Sequence, residues 1–593
     1  MNRPRPETDL KPTIKWGVLK RLVPYLLEHK LTLLLAFCIM AVSSGLALAG
    51  PKLSGKAIAA IEAGAGKVDF RQVFLFCGLM IVFYITSSLL SYLLSIIMLK
   101  LSKKIAFRMR QQIFDHLLSL PVGYFDRNQT GDIVSRISYD VDTVNASLSS
   151  DLLMICTSAI TIIGSFAMMC SISPLLILIF VVTLPLSIWF TKYRAQKVRP
   201  LFRKRSAKLG ELNGYAEEML SGQKTIRAYN REKVIIERFD NKNQEAVDAF
   251  YNAEYQGSVI GPSVNFINNL SMSLVSMFGA LLYLNGGISL AGISEFILYS
   301  RRFSGPVGEI ANIFSDLQSA SSAAERIFRV LDEHPEPADK KDAVDIDTST
   351  VRGEVEFENI AFGYTEDKIV LHDFSLKVKP GSTVAIVGPT GAGKTTVVNL
   401  LMRFYDPQSG TIRIDGKETE TITRASLRKC FTMVLQDTWL FNGTVKENIA
   451  FGADNATDEE IRRAAETAGI ASYIETLPDG YDTVLSDDGV NISKGQKQLL
   501  TISRAMLSKA PILILDEATS NVDTQTERRI QDAMIELMKN KTCFIIAHRL
   551  STIQNADNIL VVRDGDIVEQ GTHDQLMAQN GFYKQLYAAQ FEN

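Results

Sequence analysis

At 593 residues the chain is too long for one compact unit, and at 46% hydrophobic and 22% charged residues it is neither disordered nor collagen-like. Lys and Arg number 63 against 65 Asp and Glu, a formal net charge of −2, so no global basic field points to nucleic acid. The mean hydropathy of +0.08 averages two unlike parts. The first ~330 residues carry long uncharged runs, and the last ~240 have the mixed texture of a soluble α/β protein.

The N-terminus, MNRPRPETDLKPTIKWGVLKRL, is polar and mixed in charge, without the apolar core of a signal peptide or the acid-poor look of a transit peptide. Beyond it, the runs Leu31–Pro51 and Val73–Leu99 are uncharged and long enough to span a bilayer core of about 20 helical residues. Leu152–Thr191 and Tyr255–Ser294 are uncharged stretches of 40 residues each, broken at Ser173-Pro174 and near Asn285-Gly286-Gly287. A single helix of that length would measure ~60 Å, twice the hydrocarbon thickness, so each is expected to be a hairpin of two spans. The expected spans are 31–50, 73–99, 152–173, 175–191, 257–284 and 288–303.

The connections alternate in length. Segments 100–151 and 192–254 are long, helical in pattern and carry 7 and 14 Lys and Arg, whereas the turns at 174 and 285–287 carry none. Positive charge marks the cytoplasmic side, which places both termini and both long connections there. The connections read as extensions of the membrane helices, with tips expected near Tyr124–Asp140 and Gly210–Lys224. Within the fifth span, Asn265, Asn268 and Asn269 share one face at i, i+3, i+4 spacing; they line a polar cavity or hydrogen-bond a neighbouring helix. Glu295, Arg301 and Arg302 fall in the sixth span, where the arginines are expected to snorkel to the interface or pair with acids.

Six dispersed cysteines, Cys38, Cys77, Cys156, Cys170, Cys430 and Cys543, show neither a disulfide framework nor zinc-ligand spacing. Residues 333–350, EHPEPADKKDAVDIDTST, are Pro-, Asp- and Lys-rich and read as a linker. From Gly353 strands begin, and Thr383–Val387 is a continuous apolar run of the kind a buried strand needs. It leads into Gly388-Pro389-Thr390-Gly391-Ala392-Gly393-Lys394-Thr395-Thr396 and then an apolar helix pattern. Strand, glycine loop and helix together make a phosphate-binding loop: glycines turn backbone N–H groups inward, and the helix N-terminus adds positive potential. Lys394 is placed to reach the β- and γ-phosphates, and the Thr395 hydroxyl to ligate Mg²⁺. A second apolar strand, Ile512–Leu515, ends in Asp516-Glu517, 122 residues after Lys394. Adjacent acids closing a buried strand are costly unless they meet a cation, so Asp516 is expected at Mg²⁺ and Glu517 beside the attacking water.

With these motifs the chain resembles an ATP-binding cassette (ABC) exporter half-transporter of multidrug type over nearly its whole length. The resemblance implies a multidomain fold: a six-helix all-α transmembrane domain (1–332), a linker (333–352), and an α/β P-loop nucleotide-binding domain (353–593) with an antiparallel β subdomain and a helical subdomain. It implies ATP and Mg²⁺ as cofactors. By the same resemblance, Ser493-Lys494-Gly495-Gln496 is the signature that acts on a partner's ATP, and Gln436 senses Mg²⁺ (with Thr395 and Asp516). Tyr364 is the aromatic that stacks on adenine, Asp523 belongs to the loop touching the opposite site, and His548 is the switch histidine at the γ-phosphate. Two such domains would close head to tail over two ATP molecules and drive alternating access.

The chain departs from the family pattern in two places. The signature carries Lys494 where a glycine is usual, and the preceding segment has Asp487-Asp488 in place of the Glu usual in homodimeric exporters. With Asp516-Glu517 intact, this resembles the catalytically competent subunit of a bacterial heterodimeric exporter. The expected function is ATP-driven export of hydrophobic or amphiphilic compounds across the bacterial plasma membrane, with a second half-transporter, membrane lipids and a hydrophobic small molecule as partners and no nucleic acid. The alternatives are a homodimeric lipid or peptide exporter, or an ATP-gated channel or regulator on the same fold.

Overall fold

The computed structural model describes residues 16–62, 64, 68–365, 368–436, 438–485, 492–516, 523–546 and 553–591. The chain forms two compact units. One runs to Leu118 and resumes over Thr130–Glu333; the other combines Ser119–Gln129 with the chain from His334 onward.

The first unit is helical. Helices Lys30–Glu62, Phe70–Ser119, Thr130–Ile172, Pro174–Ser221 and Glu232–Leu284 are long and apolar enough to cross a membrane. The expected sixth span lies in the Leu290–Leu331 helix, which is not among them: Glu295, Arg301 and Arg302 fall together in its apolar part and lower its hydropathy. At about 1.5 Å per residue the 50-residue Phe70–Ser119 helix is ~75 Å long, far beyond a hydrocarbon core of ~30 Å. The Lys30–Glu62 helix does not stop at Pro51 but runs on to Glu62; neighbouring helices and local adjustment let such prolines sit inside membrane helices. The chain reverses at Ser173, extended at φ −157° ahead of Pro174, and at Gly286, φ +71°. The reversal in the second long connection lies at Gly222–Arg231, at the far end of the expected Gly210–Lys224 tip. There Gly210 and Gly214 stay helical, and Asn230 takes the left-handed conformation at φ +52°.

Packing within this unit centres on Met169, Leu176, Phe180, Val275, Phe296, Tyr299 and Phe303. Small polar side chains tie the helices: Thr183 and Ser271 hydroxyls lie 2.9 Å apart, and Tyr299 donates to the Leu48 carbonyl at 2.7 Å. Much of the remaining apolar surface is bare; only 6% of the most hydrophobic window of Phe70–Ser119 is buried. That is a surface suited to lipid or to further helices rather than water.

Among the described residues the second unit holds three sheets. β1 (Val355–Phe362), β2 (Leu371–Val378), β4 (Ser409–Ile414) and β5 (Lys417–Glu418) form an antiparallel sheet in the order β2-β1-β4-β5. β3 (Thr383–Val387), β6 (Phe431–Val434), β9 (Ile512–Asp516), β10 (Thr542–Ile546), β11 (Asn558–Arg563) and β12 (Asp566–Gly571) form the main sheet in the order β12-β11-β3-β10-β9-β6. β7 (Gly443–Thr444) pairs with β8 (Val484–Leu485). Strand alternation divides the main sheet between two cores: Ile386, Ile514 and Phe544 face one, and Ala385, Leu515 and Ile545 the other. Both faces are covered, which is why these strands read as unbroken apolar runs.

Residues 334–351 do not hang free as a tether. Val344 bridges Ile422, and Ile346 and Val351 are buried in the core. Arg424, 8% exposed, reaches Asp339, Asp406 and the Pro337 carbonyl. Two of the acids that made this stretch look like a linker, Glu336 and Asp339, are paired by arginines supplied much later in the chain.

Candidate nucleotide site

Four parallel strands deliver the candidate residues to one edge. β3, β10, β9 and β6 lie side by side, with Ile546 beside both Ile386 and Asp516, and Val434 beside Leu515. Ligands of open parallel sheets sit outside such carboxyl ends. The phosphate loop leaves β3 at Val387, Asp516 closes β9, and Gln436 follows β6 by two residues and is exposed. Glu517 and His548, which follow β9 and β10 in sequence, lie outside the described residues.

The loop's glycines are required by its backbone. Gly391 (φ +86°) and Gly393 (φ +105°) occupy conformations that L side chains rarely adopt, and a Cβ on Gly393 would lie 2.8 Å from Leu371 Cδ2. Pro389 and Thr390 are exposed at the tip, while Ala392 is buried and its N–H donates to the Pro389 carbonyl at 3.2 Å. Lys394 opens the Lys394–Leu401 helix, and its ammonium donates to the Gly388 and Pro389 carbonyls at 2.8 and 3.0 Å. Burial pushes this ammonium below its ordinary pKa, partly countered by the Asp516 carboxylate. A desolvated cation whose hydrogen-bond partners are two neutral carbonyls is only partly compensated by Asp516, and a polyphosphate fits that deficit. Thr395 is exposed beside it, and Thr395, Gln436 and Asp516 each carry a hard oxygen donor of the kind Mg²⁺ takes.

Thr396 is buried, with its hydroxyl 3.2 Å from that of Tyr364, which also accepts from Asn399 Nδ2 at 3.0 Å. The Tyr364 ring is braced edge-on by Phe362 and by Tyr405, each at 5.1 Å between centroids, and stays 44% exposed. Tyr405 was not foreseen from the sequence. Its hydroxyl donates to Asp126 Oδ2, and a Cβ on Gly123 would lie 3.0 Å from its ring, so the short Val122–Arg127 helix belongs to this aromatic cluster.

The signature residues stand at the start of the Lys494–Leu507 helix. Ser493 Oγ accepts from the Gln496 N–H at 3.3 Å, and Gln496 Oε1 accepts from the Ser493 N–H at 2.9 Å. This capping box was legible in the Ser-x-x-Gln spacing but was not read there. Lys494 is exposed and Gly495 is buried. Asp523 likewise caps a helix, accepting from the Thr526 N–H at 2.9 Å, which holds its carboxyl below the usual range. Asn265 and Asn269 are exposed and Asn268 half-buried on the Ile260–Leu284 helix. Among the described residues no side-chain amide of the three hydrogen-bonds a neighbouring helix, and the Asn269 main-chain carbonyl accepts from Ser273 Oγ on its own helix.

Residues 33–307 match the family model of the ABC transporter transmembrane region, and residues 371–520 match that of the ABC transporter. A solved structure of a bacterial Atm1-family ABC exporter with ATP bound superposes with a TM-score of 0.77 at 29% identity, covering 95% of this chain and 98% of the other. An uncharacterized ABC transporter ATP-binding protein of Bacillus subtilis, YfiC, is 44% identical over 97% of this chain and 94% of its own length. The chain belongs to the ABC exporters. As in that family, its membrane and ATP-binding parts are fused, and its ATP-binding part is an ATPase coupled to transport. Similar exporters include a fatty acid ABC transporter ATP-binding/permease protein of Mycobacterium tuberculosis, 43% identical over 88% of this chain and 82% of the relative. The ATP-dependent lipid A-core flippase of Salmonella typhimurium is 35% identical over 97% and 98%.

Proposed function

We propose that the chain is the hydrolysing half of a heterodimeric exporter that moves an acyl-bearing or otherwise hydrophobic amphiphile out through the bacterial plasma membrane. The observation that carries the ATP side is the Lys394 ammonium, desolvated and facing Asp516 at the carboxyl edge of the main sheet. In this reading Lys394 and the loop N–H groups hold the β- and γ-phosphates, and Tyr364 offers its exposed face to adenine. Glu517 polarises the attacking water, His548 contacts the γ-phosphate, and Thr395, Gln436 and Asp516 hold Mg²⁺. The bound metal would neutralise charge on the phosphates. Ser493, Lys494, Gly495, Gln496 and Asp523 act on the partner's nucleotide, and a γ-phosphate shared by two surfaces favours the closed dimer by its differential affinity.

The intact Asp516-Glu517 pair beside an altered signature supports a different partner chain over a second copy. The lipid side rests on relatives named for fatty acid and lipid A-core transport and on the broad apolar surface of the spans. Asn265, Asn268 and Asn269, which bond no neighbouring helix of the described chain, are available to a polar cavity. Inverted membrane vesicles of the producing organism test the reading. Uptake of labelled fatty acid should require ATP and disappear with Glu517→Gln; equal uptake in both would refute it.

A further inference from the structure

A groove of about 740 Å³ lies between the Pro174–Ser221 and Glu232–Ser258 helices of the membrane unit. Arg194, Lys197, Lys204 and Lys208 line it against two acids, Glu245 and Asp248. Those acids are already engaged. Glu245 pairs with Lys208 at 2.8 Å, and Asp248 Oδ1 accepts from Gln244 Nε2 at 3.0 Å. Among the described residues Arg194, Lys197 and Lys204 have no carboxylate within ion-pair distance.

Arg194 is the informative member. Its Nη2 donates to the main-chain carbonyl and the side-chain oxygen of Gln256, at 3.2 and 3.1 Å, both neutral acceptors. Its Nε is buried and has no hydrogen-bond partner. A guanidinium with a desolvated, unanswered N–H is unfavourable unless an anion or water completes it. Three residues away, Lys197 lies over the Tyr193 ring at 4.7 Å, and the Trp189 ring stacks on Tyr193 with centroids 5.8 Å apart.

Depth selects the kind of anion. The expected fourth span ends at Thr191, so Arg194 sits about 5 Å and Lys197 about 9 Å beyond it, at the level of the lipid headgroups. Above them the helix turns wholly apolar, from Leu175 to Phe190 apart from Thr183 and Ser187. A cation pair at headgroup depth beneath an apolar helix face matches a carboxylate or phosphate carried on a hydrocarbon tail.

We propose that the Arg194–Lys197 end of this groove is a binding site for the anionic head of an amphiphile, with its tail along the Pro174–Ser221 helix. This rests on the export reading only for what the site is used for; binding itself is independent of transport.

The test uses the full chain in nanodiscs of neutral lipid, with Trp16→Phe and Trp439→Phe so that Trp189 is the sole tryptophan. Dibrominated stearate should quench Trp189 saturably. The alcohol of the same chain, and inorganic phosphate as a competitor, should each act at least about tenfold more weakly, because both the charge and the tail are needed. Arg194→Gln with Lys197→Gln should weaken stearate by about tenfold, Arg194→Lys should restore part of it, and the surface variant Lys233→Gln should leave it unchanged. Equal quenching by acid and alcohol, or an unaffected double variant, would overturn the site. Displacement by phosphate as effective as by stearate would show a site for soluble anions and overturn the amphiphile. Loss of vesicle uptake with quenching intact would count against the export reading and leave the groove standing.

Discussion

The Tyr405 hydroxyl donates to Asp126 Oδ2 at 2.5 Å while its ring stands at 90° to that of Tyr364. Two residues of distant sequence thereby connect the short Val122–Arg127 helix to the aromatic beside the phosphate loop. Tyr364 in turn contacts Thr396 in the first turn after that loop. One aromatic cluster thus links the first turn after the phosphate loop to Asp126.

Two substitutions separate the parts of that cluster. Tyr405→Phe keeps the ring and loses one hydrogen bond to a charged group, a loss of about 1–3 kcal/mol. Tyr405→Ala also removes the brace of Tyr364 and costs about 3–5 kcal/mol. Thermal unfolding should rank them in that order, and ATP affinity should fall only in Tyr405→Ala. Equal affinity in both would detach Tyr364 from its support.

Lys394 sets a pH dependence. Burial lowers its pKa from the ordinary 10.5, and a bound polyphosphate would raise it again. Binding is then linked to proton uptake, so ATP affinity should be flat at neutral pH and weaken as pH rises through the depressed pKa toward 10.5. Lys394→Arg, whose charge does not titrate there, should lose that alkaline limb whatever its absolute affinity. Titrations with a fluorescent ATP analogue read both.

Arg424 tests the ordered linker. It is 8% exposed and serves Asp339, Asp406 and the Pro337 carbonyl. Arg424→Ala removes one of the two arginines that serve Asp339 and Asp406, which keep Arg403, and should cost about 1–3 kcal/mol, lowering the melting temperature of the ATP-binding unit by roughly 5 °C. A shift of under about 2 °C would mean that residues 334–351 are held by their apolar contacts alone.

At the signature, Lys494 is exposed while Ser493 and Gln496 cap the helix. Lys494→Gly should change turnover only modestly, whereas Ser493→Ala loses a cap worth about 1 kcal/mol as well as a phosphate-facing hydroxyl, and should lower turnover clearly. Steady-state ATPase of the assembled exporter distinguishes them. A large loss with Lys494→Gly would show that the lysine itself contacts nucleotide or partner.

What was legible depended on range. Gly391, Gly393 and Lys394 declare the phosphate loop because strand, turn and helix are contiguous there. Tyr405 was silent because its partner Asp126 lies 279 residues away. Residues 334–351 read as a tether because the arginines that pair Glu336 and Asp339 come from the 403–428 region. The expected sixth span is the intermediate case: Glu295, Arg301 and Arg302 lower the hydropathy of the Leu290–Leu331 helix, so length and composition alone do not mark it as a span.

The ATPase rate of this chain purified alone in lipid nanodiscs, with Glu517→Gln as the blank, bears most directly on its place as the hydrolysing half of a heterodimer. The account predicts a folded chain that binds ATP and turns it over no faster than the blank, because the working signature comes from a partner. Clear turnover above the blank would show that the chain completes its own composite sites, and would contradict the heterodimer.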